Sequence, residues 1–60
     1  MLHLSELLLQ HHELLNFEEL VAVIKEEKQK TRERFFRIDV RPPYPDTPNN
    51  WEDRLEAAFS

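Results

Sequence analysis

Neither cysteine nor glycine occurs among the 60 residues of this chain. The first absence excludes disulfides and thiolate metal sites, two supplements on which very small domains often depend. The second removes phosphate-cradling loops and tight type I′ hairpins. Proline is confined to one stretch, as Pro42, Pro43, Pro45 and Pro48. No segment approaches the roughly 20 consecutive apolar residues of a membrane span. The opening Met1-Leu2-His3-Leu4-Ser5-Glu6 has no basic start and is interrupted by Glu6, so it does not read as a signal peptide. A soluble, cytoplasmic protein without membrane contact is the expectation.

A single core is marginal at this length. Leucine and phenylalanine are nonetheless abundant, which suggests apolar surface left over for a second copy or a partner. The formal net charge of −4 is unevenly spread. Residues 1–24 hold four acids and no base, and residues 25–41 hold seven of the eight bases. Residues 42–60 hold four acids against Arg54. Such acid–base–acid blocks favour staggered or antiparallel self-association.

Helical signals dominate residues 5–36. Ser5 is a candidate N-cap with Glu6 in the first turn. Leu7, Leu8, Leu14 and Leu15 form an apolar stripe at helical spacing. Asn16-Phe17-Glu18-Glu19 then reads as a capping box, with Leu15 and Leu20 placed for a hydrophobic staple. Phe17, Leu20, Val21 and Ile24 continue the apolar face, and the same spacing runs on through Lys28, Thr31 and Phe35. Two architectures follow: a helical hairpin breaking near Asn16, or one helix of about 32 residues, roughly 48 Å long, pairing as a coiled coil. Phe36 to Val40 alternates apolar and polar and reads as a short extended segment at about 36–40. It needs a partner strand, either from a second copy or from another protein's sheet edge.

Residues 41–50 should form a stiff, extended spacer, because proline fixes φ and restricts the residue before it. Beyond it, Asn50 can cap a short helix in which Trp51, Leu55 and Phe59 fall on one stripe. A helix this short is not stable alone in water and needs a groove. Either it folds back on this chain, making 41–50 a strap, or it lies on another protein, making 41–50 an arm. The arm is the expectation. Arg41 and Tyr44 would then fix the approach, with Trp51, Leu55 and Phe59 as anchors.

Chemistry-bearing residues are few. His3, His11, His12 and Glu13 lack the His-Glu-x-x-His spacing of a zinc site and read as surface residues. Ser5, Thr31, Thr47 and Ser60 sit in no nucleophile elbow. Neither catalysis, a metal nor a cofactor is expected. The basic block 25–41, with Phe35 and Phe36, raises nucleic-acid binding as an alternative. Against it stand the pairs Glu26–Lys30 and Glu33–Arg37, spaced to neutralise one another along a helix.

In layout, a helical front with a proline-containing, tryptophan-bearing tail, the chain resembles bacterial antitoxins whose tails wrap their toxins. The candidate strand follows the helices, however, so the swapped-hairpin and ribbon-helix-helix signatures are absent. The leucine-rich helical pair resembles small helical-hairpin inhibitors of bacterial signalling kinases. Both resemblances imply an inhibitor that covers an enzyme's active site.

The sequence therefore reads as a mainly α, oligomeric, non-enzymatic interaction module in three parts. Residues 1–40 self-associate through Leu7, Leu8, Leu14, Leu15, Phe17, Leu20, Val21 and Ile24. Residues 41–50 are the spacer, and residues 51–60 engage a larger folded protein.

Overall fold

A computed structural model describes residues 1–60, and the fold is mainly α. In chain order the elements are β1 (Leu2–His3), α1 (Leu4–Gln10), α2 (Phe17–Lys30), β2 (Phe36–Arg37) and α3 (Trp51–Phe59). The two strands run parallel, Leu2 opposite Phe36 and His3 opposite Arg37. Of the segment expected at 36–40, only Phe36 and Arg37 form strand, and they find their partner inside the same chain, in Leu2 and His3.

The single long helix is not formed. The chain leaves helix at His11 and re-enters at Phe17, where Asn16 adopts extended backbone and its side chain accepts the Glu19 N–H at 2.9 Å. Such a cap is worth about 1 kcal/mol. The reciprocal half of the box is displaced by one residue: the Glu19 carboxylate takes the Leu15 N–H at 2.7 Å instead of that of Asn16. No staple forms either. Leu20 is already fully enclosed while Leu15 is 78% exposed, so Leu15 has nothing left to cover.

At its other end α2 stops at Lys30, short of residue 36, to which the helical signals were expected to run. Beyond Ile24 the buried face would have to carry Lys28 and Thr31, so further turns would bury nothing. Thr31 instead turns extended, and its hydroxyl accepts the Glu33 N–H at 3.2 Å, a local bond that competes with helix. Glu18 and Glu19 in the first turn and Lys28 and Lys30 in the last complement the helix dipole.

One core of nine buried apolar side chains draws on all three helices: Leu4 and Leu7, then Phe17, Leu20, Val21 and Ile24, then Leu55, Ala58 and Phe59. Residues 51–60 therefore complete this chain's own core, and the expectation of a free arm gives way to that of a strap. Physically the choice is simple. The α2 face alone cannot hide its apolar side chains from water, and α3 carries a matching stripe. Phe36 stacks on Phe59 with ring centroids 5.1 Å apart, tying β2 to the same core.

The strap is folded by turns and not held straight. The Thr47 N–H and hydroxyl both donate to the Tyr44 carbonyl, at 3.1 and 2.8 Å, and the Trp51 N–H donates to the Pro48 carbonyl at 3.2 Å. Pro42 is buried. Between these turns Asp46 accepts the Phe17 N–H at 3.0 Å, capping α2 from 29 residues away. Asp39 does the same for α1: the Ser5 N–H and hydroxyl donate to its two oxygens at 3.0 and 2.7 Å. Ser5 is thus not the cap but the capped residue. Asn50 precedes α3 without a side-chain cap bond.

Leu55, fully buried between α3 and α2, is the side chain on which the closure turns. Leu55→Ala should lower the unfolding free energy by about 2–5 kcal/mol, enough to abolish a cooperative urea transition in a domain this small. An unchanged midpoint, followed by circular dichroism and Trp51 fluorescence, would contradict this packing. The Ser5 hydrogen bonds hold the Asp39 carboxyl below the usual aspartate range, and the Arg54 guanidinium does the same for Glu18. Groups with lowered pKa stabilise the fold above their unfolded pKa values, and that contribution is lost as pH falls through the folded ones. Stability should therefore fall on acidification below about pH 4, and Asp39→Asn should shallow that acid limb. An acid limb identical in the variant would remove Asp39 from the account.

Candidate functional site

Once α3 closes on α2, the predicted site residues separate into groups. Leu55 and Phe59 are core residues, and Trp51 and Tyr44 are half-buried against that core. Arg41 is exposed. Burial first, then the Glu19 and Glu13 carboxylates, push the Tyr44 phenol above its ordinary pKa, which fits a strap lying beside the start of α2. Of the residues assigned to self-association, Leu7, Phe17, Leu20, Val21 and Ile24 are buried within the single chain. Leu8 and Leu14 are half-buried, and Leu15 stands in solvent.

The charged side chains are divided in a way the sequence did not suggest. Arg54 grips Glu18 through two bonds, at 2.7 and 3.1 Å, with its guanidinium 5.2 Å from the Phe17 ring centroid. An exposed ion pair contributes little stability. Its use here is to fix α3 in register on α2. Every one of the seven basic side chains in 25–41, by contrast, lacks a carboxylate partner within ion-pair distance. The expected Glu26–Lys30 and Glu33–Arg37 pairs are not made. The second fails because α2 has ended, so residues 33 and 37 are no longer one turn apart.

Two of these unpaired cations, Lys28 and Arg34, line an open groove of about 280 Å³ between β2 and the ends of α2 and α3. Lys28 and Arg34 supply its charge, Phe35, Phe36 and Phe59 its apolar lining, and Glu56 a single carboxylate. Lys28 lies with its ammonium 4.7 Å from the Phe59 ring centroid, a cation–π contact that holds the charge at the groove wall. Phe35 is 68% exposed. A phenyl ring left in water beside unpaired cations is unusual in a chain short of core material. From the sequence Phe35 was expected only as a stacking partner for bases and not as a protein contact, because the alternation of Phe36, Ile38 and Val40 drew attention to the opposite side. The same alternation puts Phe35 with Arg37, which was the available signal.

Other clusters are structural. Ser5, His3 and Asp39 lie together, but the Ser5 hydroxyl donates to the carboxylate, and His3 Nδ1 is 3.7 Å from the same oxygen. The carboxylate serves as the cap of α1, through Ser5 alone. His11 stands between Glu13, at 3.1 Å, and Glu27, at 3.8 Å, bridging the α1–α2 connection to α2. A second shallow hollow, about 250 Å³, is bounded by Val21, Lys25, Arg54, Ala57 and Ala58 on the α2–α3 seam.

No protein-family model matches the chain, and comparison with curated proteins and with solved structures gives no match. No helix is long and apolar enough to cross a membrane.

If Phe35 serves no packing purpose, Phe35→Ala should leave the urea midpoint within about 0.5 kcal/mol of the parent. Phe36→Ala, which removes a stacked ring from the core edge, should cost about 1–3 kcal/mol. Equal destabilisation by both would mean that Phe35 belongs to the fold.

Proposed function

We propose that this chain is a non-enzymatic protein-interaction module that binds a larger protein through the basic, aromatic face formed by Lys28 and residues 34–37. The observation that carries this reading is the coincidence of unpaired cations with an exposed phenyl ring at one groove. Opposite charge on a partner would be attracted to the first. The second offers the buried aromatic contact that dominates binding energy once water is excluded. The reading moves the contact surface away from Leu55 and Phe59, whose side chains the core already uses.

Nucleic-acid binding through 25–41 is the second reading, and one observation favours it: the carboxylates expected to neutralise this segment do not pair with it. The overall charge of −4 works in the other direction, because long-range attraction to phosphate depends on the field of the whole molecule.

The two readings separate in one experiment. Tagged parent chain and a Phe35→Ala/Arg34→Glu variant, both shown by circular dichroism to be folded, are used for capture from the native host with and without nuclease. A discrete protein held by the parent, nuclease-resistant and lost with the variant, is the expected result. Nuclease-sensitive retention would favour nucleic acid. Equal capture by parent and variant would reject this face.

A further inference from the structure

The groove beside β2 has a property that narrows what it can hold. Arg34 and Phe35, which lead into β2, and Phe36, its first residue, line the same groove. The groove thus lies beside the point where the chain enters β2. β1 occupies one edge of that strand, and neither Leu2 nor His3 lines the groove.

The backbone pattern agrees. The Leu2 N–H donates to the Phe35 carbonyl at 2.9 Å, with Leu2 in register opposite Phe36. In a parallel pair this pattern turns the polar groups of residues 35 and 37 toward β1 and those of Phe36 away from it. The Phe36 N–H and C=O thus stand at an unpaired edge, without a backbone or side-chain hydrogen bond outside the β1–β2 pair.

We infer that this edge accepts an extended acidic segment of a partner protein, which adds to β2 as a third strand; the inference rests on the proposed interaction face and specifies how it is used. Pairing at Phe36 would satisfy its free N–H and C=O. A side chain of the added segment would pack against Phe35 on one face. Carboxylates on the segment would meet Lys28, Arg34 and Arg37. Charge decides between occupants. A second copy would offer an edge with Arg32, Arg34 and Arg37 against Glu33 alone, and two such edges repel. A basic segment meets the same repulsion. An acidic one is drawn in.

The test uses the intact chain, isotopically labelled, titrated by NMR with a short peptide of alternating glutamate and valine. The controls are the same peptide with alternate backbone nitrogens methylated and a lysine–valine peptide of equal length. The expected result is saturable shifts over residues 34–37 and slowed exchange of the Phe36 amide. Methylation should weaken binding about tenfold, the effect of losing roughly 1.4 kcal/mol of backbone hydrogen bonding, and the lysine peptide should not bind. Arg34→Glu should weaken the acidic peptide further, and added salt should do the same. If the methylated and parent peptides bind equally, with no Phe36 protection, strand addition is wrong while the acidic-partner face survives. If the lysine peptide binds as well as the acidic one, or neither binds, the charge reading of the face fails with it.

Discussion

Leu55 can leave water only if α3 lies against α2, and most of the remaining structure follows from that closure. The α2 face of Phe17, Leu20, Val21 and Ile24 is too broad for α1 to cover alone. A helix of nine residues, in turn, has no stability of its own in water. Each solves the other's difficulty. The apolar seam sets the closeness of the two helices, and the Arg54–Glu18 pair sets their register. Residues 41–50 are then obliged to return the chain from the end of β2 to the start of α2, which their two turns accomplish.

That return brings a second economy. Both helices of the first half are capped by aspartates of the second, α1 by Asp39 and α2 by Asp46. Helix N-termini have unsatisfied N–H groups that local side chains usually serve. Here part of that service is remote, so forming either helix and folding the later chain are coupled. A chain without disulfides gains cooperativity this way. The carboxylates that do it are charged at neutral pH, which links the fold to acidity through named groups.

The periodic features were legible from the residues. The α2 face, its start at Asn16 and the α3 stripe all rest on local spacing and capping chemistry, which a sequence displays directly. Where α2 ends was less visible, because Lys28 and Thr31 preserve the spacing while offering nothing to bury. The caps by Asp39 and Asp46 and the pairing of Leu2–His3 with Phe36–Arg37 depend on contacts across much of the chain, and no local signal encodes them. The groove was legible in composition only. Its bases and phenylalanines were evident in 25–41, but their lack of carboxylate partners emerges once α2 stops at Lys30 and separates Glu33 from Arg37.

The proposed function rests on what the fold leaves over. The core uses the C-terminal stripe that resembled a binding peptide, and among the apolar groups left exposed only Phe35 stands beside unpaired cations at a groove. Everything in this picture depends on residues 51–60 belonging to the chain's own core. Amide hydrogen exchange of the isolated protein tests that most directly. The account predicts that amides in the middle of α3 exchange with the same opening free energy as those in the middle of α2, as one cooperative unit. Amides of α3 exchanging at unfolded-chain rates while α2 stays protected would restore the tail as a free arm and contradict it.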